Sequence, residues 1–178
     1  TLLETSSKEI VLSHDFATYS IVMNERATPG TGAWTESTIP DPNGFGMVWP
    51  RAAIGGANGN TIHLIARSTP IALGGVATAG VDGQLYYYRS IDEGATWSTG
   101  VVLPGMDSTN YKFVSSETYA ITAQGDDAVI AVFSHMNDIT LIRSSDDGIS
   151  WAATTAMDFP IQNYAIDDGT DIDGNGSN

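Results

Sequence analysis

The chain has 178 residues, 42% hydrophobic, with 21 acidic and 7 basic side chains, a formal net charge of −14 and no cysteine. That length supports a sizeable core. The charge excludes nucleic acid and anionic membranes as partners, and the missing cysteine excludes disulfides, thiolate metal sites and cysteine nucleophiles. No apolar run is long enough for membrane insertion, and no basic-plus-apolar leader opens the sequence, so the expectation is either that the protein is not exported or that a leader has already been removed. The acidity suits a secreted protein in salty surroundings, or one that binds cations.

No segment sustains a 3.6-residue apolar period with caps. Short β-favouring runs broken by Gly, Pro, Asn and Asp predict an all-β chain. In chain order, Tyr19–Met23 and Trp34 read as the end of a degenerate unit with a linker, over 1–46. A complete unit is predicted over 47–104, with strands near 47–54, 60–67, 84–90 and 96–103. A second complete unit is predicted over 105–160, with strands near 117–123, 127–134, 138–144 and 150–156. Residues 161–178 begin a further unit and carry an acidic loop. Ile62, Leu64 and Ala66 alternate onto one face of their strand. The nearly apolar run 127–134 is expected to be buried on both faces.

The two complete units share a pattern, Ser-x-Asp-x-Gly-x-x-Trp. It is carried by Ser90, Asp92, Gly94 and Trp97, and again by Ser144, Asp146, Gly148 and Trp151, 54 residues later. A motif repeated at such a period signals repeat architecture. Asp and Ser side chains can bond backbone N–H groups just ahead of them, Gly supplies a positive φ, and Trp supplies a large apolar plug. Each copy therefore reads as a strand, a self-bonded turn and a strand, with Asp92 and Asp146 accepting from their own loops and both tryptophans largely buried.

The pattern resembles the Asp-box, or BNR repeat, of sialidase-like β-propellers. That resemblance implies blades of four antiparallel strands, with the box on a rim away from the active face. At 54 residues per blade the chain holds about three repeats, short of the four to eight blades that close a propeller. The expectation is a partial propeller continuous with further blades of a longer chain. A small open sheet stack or sandwich with ordinary hairpins is the alternative.

Other residue groups carry possible chemistry. Asp171, Asp173 and Asn175, followed by Gly176, place hard oxygens at alternate positions like the first half of a Ca²⁺ loop; the other reading is a solvated acidic loop. The resemblance also implies an arginine cluster for a substrate carboxylate, with a Tyr–Glu nucleophile pair and an Asp acid/base. The chain has Arg26, Arg51, Arg67, Arg89 and Arg143. Arg89 and Arg143 lead into the boxes, which favours a structural role. Trp49-Pro50-Arg51 falls at the start of an inner strand but departs from the family's Phe/Tyr-Arg-Ile-Pro motif. His14, His63 and His135 lack metal-ligand spacing.

No catalytic set emerges. The function expected is a binding or architectural role in a segment of an exported or cell-surface BNR-repeat protein of bacterial type, with carbohydrate or another protein as partner. The alternative is part of an exo-acting, sialidase-like glycoside hydrolase whose catalytic residues lie partly outside this segment.

Overall fold

The computed structural model describes residues 1–27, 30–41, 44, 46–69, 84–104, 106, 119–133 and 138–158. The described residues form three antiparallel sheets in succession along the chain. The first contains β1 (Leu2–Glu4), β2 (Lys8–Asp15), β3 (Ser20–Ala27) and β4 (Thr31–Thr38). The second contains β5 (Met47–Gly55), β6 (Thr61–Ser68) and β7 (Leu85–Ser90). The third contains β8 (Tyr119–Gln124), β9 (Asp127–Phe133), β10 (Asp138–Ser144) and β11 (Ala152–Asp158). Strands follow chain order across each sheet. Edge strands β1, β5 and β8 converge where neighbouring sheets meet, so the first strand of each sheet lies innermost.

Two expectations about strand boundaries need correction. Residues 2–38 hold a whole four-stranded sheet rather than only the end of one. The strand expected over 96–103 reduces to one bridge, Tyr87 with Val101. Gly100 explains much of this. Its bare backbone lies against the Tyr88 ring, where a Cβ would sit 2.7 Å from ring carbons, and a mid-strand glycine weakens pairing.

The core lies between sheets. Ile10, Leu12, Ile21 and Met23 of the first sheet pack against Ile62, Leu64, Ala66, Tyr86 and Tyr88 of the second. The opposite face of the second sheet, with Ile65, Leu85 and Tyr87, packs against Tyr119, Ile130, Val132 and Ile142 of the third. Strand β6 is therefore buried on both faces, as is β7 beside it. Over 128–132 of β9, Ala128, Ile130 and Val132 are fully buried, while Val129 and Ala131 are half-buried. The expectation of one- and two-faced burial is thus reversed between these strands.

Strand register defines two ends. Ile54 pairs with Ile62 and Ile62 with Ser90, which places Gly55, Thr61 and the 90–97 turn together. Ala128 pairs with Ser144 beside the β8–β9 hairpin, so the 144–151 turn lies at the corresponding end. Met47 pairs with Ser68 at the other end.

Candidate functional site

At the end holding both repeated turns, each turn is closed by its own side chains. Thr96 N–H donates to Asp92 Oδ1 at 2.8 Å and Thr96 Oγ1–H to Oδ2 at 2.6 Å. Ser150 N–H donates to Asp146 Oδ1 at 2.8 Å and Ser150 Oγ–H to Oδ2 at 2.5 Å. Ser90 Oγ accepts from Gly94 N–H, and Ser144 Oγ from Gly148 N–H, each at 2.8 Å. Gly94 and Gly148 have φ of +87° and +81°, the region that favours glycine. The Ser150 hydroxyl and N–H, with Ser144, hold the Asp146 carboxyl down at about 2. Burial pushes Asp92 upward, but the Thr96 and Ser90 donors outweigh it and its pKa is lowered.

Trp97 and Trp151 are half-buried rather than largely buried. Trp151 immediately precedes β11 and donates Nε1–H to Gly148 O at 3.1 Å. Trp97 packs on the first core without opening a strand. It leads into a segment that joins the sheet by one bridge, Tyr87 with Val101, in place of a full strand.

The acidic residue after each turn aspartate was missed by sequence reasoning. Glu93 N–H donates to Asn60 O, in its own sheet's first hairpin, at 3.1 Å. Its carboxylate accepts from Ser6 at 3.1 Å and from Ser7 by a shorter bond, both in the first hairpin of the preceding sheet. Asp147 repeats the arrangement. Its N–H donates to Asp126 O at 2.7 Å. Its Oδ2 accepts from Thr61 at 2.9 Å and pairs with Arg89 at 2.5 Å, both in the preceding sheet. The available signal was an acidic side chain in the same slot of both copies. Arg89 is thus structural, as its lead-in position implied; Arg143 is exposed.

The opposite end gathers His14, Trp49, Pro50, Arg51, Arg67 and Tyr119. Strand β5 bulges between Val48 and Arg51, at the proline that has no N–H to pair. Trp49 there has φ +54°. Its residue touches all three sheets. Trp49 N–H donates to His14 Nδ1 at 3.3 Å, its carbonyl accepts from Tyr119 O–H at 2.6 Å, and Arg67 Cζ lies 5.2 Å from its ring centroid. Burial raises the Tyr119 pKa, while Arg51 and Arg67 both pull it back. Burial lowers His14, opposed by Asp15. An open depression lined by Leu12, Ser13, His14, Trp49, Pro50 and Arg51 borders this cluster. Phe16 is exposed on the adjoining β2–β3 hairpin with its ring 4.3 Å from His14. Guanidinium groups beside aromatic rings suit planar anions and sugar faces.

Two described carboxylates at this end are engaged in turns. Asp15 accepts from Ala17 N–H and Thr18 Oγ–H, each at 2.8 Å, and Asp41 accepts from Gly46 N–H at 2.8 Å. Among the described residues no group of three or more His, Cys, Asp or Glu could hold a metal ion. Asp171, Asp173 and Asn175 lie outside the described residues, as does His135. No helix among the described residues is long and apolar enough to cross a membrane.

No family model and no curated protein sequence matches the chain. Solved structures do. A mutant of the NanB sialidase from Streptococcus pneumoniae superposes with TM-score 0.53 at 18% identity, over 89% of this chain and 23% of that one. The same sialidase bound to 2-[(3-chlorobenzyl)ammonio]ethanesulfonate gives TM-score 0.54 at 18% identity, with the same coverage. This chain has a sialidase-like, all-β propeller fold. It spans about a quarter of the length of those sialidases.

Proposed function

We propose that the chain is a binding segment of an exported or cell-surface BNR-repeat protein, with its Asp-box turns as framework and the opposite end as the ligand face. The observation behind this is the junction at Trp49, where His14, Arg67 and Tyr119 from three successive sheets meet one residue at the inner strands. Arg51 adds a second cation beside Tyr119. The ligand is a carbohydrate bearing a carboxylate, since fixed guanidinium groups pair with carboxylates in a bidentate fashion. Titration calorimetry with sialylated and neutral oligosaccharides tests it. Arg51→Gln should weaken sialylated-glycan binding by about tenfold or more and leave neutral-glycan binding unchanged. Equal affinity for both glycans would overturn the reading.

A second reading, part of an exo-acting glycoside hydrolase, is favoured by the same arginines and by the sialidase-like fold. Release of a fluorophore from an aryl sialoside by the intact protein separates the two. The Ca²⁺ proposal for Asp171, Asp173 and Asn175 is independent. Millimolar Ca²⁺ should raise the melting temperature, EDTA should reverse it, and Asp171→Ala with Asp173→Ala should abolish it.

A further inference from the structure

His63, on the doubly buried strand β6, sits at the joint between the second and third sheets and is fully shielded from solvent. Its Nδ1 lies 2.9 Å from the Tyr87 hydroxyl. Its Nε2 lies 3.5 Å from Asp147 Oδ1, and neither of those buried atoms makes a hydrogen bond. The backbone of β5 closes the other side: a Cβ on Gly55 would come within 2.7 Å of Nε2. Trp151 covers the cluster, 4.8 Å edge-on to Tyr87 and 6.5 Å from His63. The charged and titratable groups facing the imidazole are Asp147 from the 144–151 turn and Arg89 and Tyr87 from β7, with Asp146 acting on Tyr87.

This arrangement suits a neutral ring. The Asp147 carboxylate facing Nε2 favours the tautomer with its ring proton there, and in that tautomer Tyr87 O–H donates to Nδ1. A second proton must enter at Nδ1. Tyr87 would then have to turn its hydrogen away and accept instead. The resulting cation would be shielded from bulk solvent and sit next to Arg89, a cost that Asp147, 3.5 Å from Nε2, offsets only in part. Opening the joint removes each of these costs.

We infer that His63 is an acid-release latch between the second and third sheets: the neutral ring lets the Asp147 turn seat against Thr61 and Arg89, and a proton on His63 unseats it. The proton binds better to the open state, so acid shifts the population toward it. Burial, the largest influence, holds the His63 pKa below its ordinary 6.5; Asp147 opposes and Arg89 adds to the lowering. A group depressed in the closed state stabilises that state above its open-state pKa and loses that contribution as pH falls through the closed-state pKa. The window therefore opens below about pH 6.5. The first joint has no counterpart, because Glu93 meets Ser6, Ser7 and Lys8 there and no histidine.

Amide exchange on the intact protein between pH 7.5 and 5.0, expressed as protection factors, tests this. Amides of residues 146–150 should lose protection by about tenfold per pH unit below the open-state pKa, the slope of a one-proton opening. Amides of residues 92–96 should keep theirs. In His63→Gln the 146–150 protection should be flat with pH. If that variant does not fold, ring-proton NMR of the unsubstituted protein decides, since the His63 midpoint should lie below 6.5 and coincide with the loss of protection. Protection at 146–150 that ignores pH, that still falls in His63→Gln, or that stays unchanged while His63 titrates would overturn the latch.

Discussion

The Tyr119 hydroxyl donates to the Trp49 carbonyl at 2.6 Å, joining the first residue of the third sheet's inner strand to the bulge of the second. The bulge turns Trp49 into the left-handed region at φ +54°, a conformation that costs about 1–2 kcal/mol for a residue with a Cβ. The hydrogen bond is one of the contacts that hold it there. Tyr119→Phe should therefore lower stability by about 1 kcal/mol. Denaturant unfolding measures it, and an unchanged midpoint would show that the bond contributes nothing.

The two turn glycines should differ in what they tolerate. A Cβ on Gly148 would collide with the Tyr87 hydroxyl and come within 3.1 Å of His63, both fixed in the second sheet. A Cβ on Gly94 meets the Met23 sulfur at 2.7 Å, the far end of a flexible side chain. Both substitutions carry the same left-handed penalty. Gly148→Ala should cost about 1–3 kcal/mol more than Gly94→Ala, the usual range for overpacking. Paired melting curves decide, and equal losses would contradict the asymmetry.

The turn carboxylates should remain ionised into strong acid. Donors from Ser150 and Ser144 lower Asp146 to about 2. A carboxyl depressed by folding stabilises the fold above its unfolded pKa and loses that contribution as pH falls through the folded value. The contribution of Asp146 to closing the 144–151 turn on itself should therefore be complete above about pH 4 and lost toward pH 2, separately from the seating of that turn on the second sheet. Carbon-13 titration of the Asp146 carboxyl reads this directly. A midpoint near 4 would mean that the turn donors do not bind the carboxylate in solution.

Trp151 should matter more than Trp97. It packs edge-on to Tyr87 and donates to Gly148 O, whereas Trp97 borders the first core beside a poorly paired segment. Trp151→Ala should cost about 3 kcal/mol, the low end for a large aromatic because the ring is half-buried. Trp97→Ala should cost less. Unfolding of both variants under one denaturant checks the order.

Particular residues show how far the chain was legible. The self-bonded turns could be read because Ser, Asp and Gly act on their own neighbours, a local chemistry that spacing alone reveals. The two-faced burial of β6 could not. Its alternation hides that His63 and Ile65 also face a core, which depends on a sheet more than fifty residues later. The missing strand after Trp97 turned on how closely Gly100 meets Tyr88, a contact with no sequence signature. The junction at Trp49 was half legible. Arg51 was placed on an inner strand, but Tyr119 and His14 arrive through register and bulge geometry.

Both acidic side chains that stitch the sheets point toward residues made earlier: Glu93 to Ser6 and Ser7, Asp147 to Thr61 and Arg89. The molecule therefore has a direction. During synthesis a sheet is fastened only once its successor's turn has been made, some 54 residues later for the repeated pair, or about 3–10 seconds at ordinary elongation rates. Each sheet spends that interval with one apolar face uncovered. A lesion in one turn should accordingly leave its own sheet paired and unsettle the sheet before it.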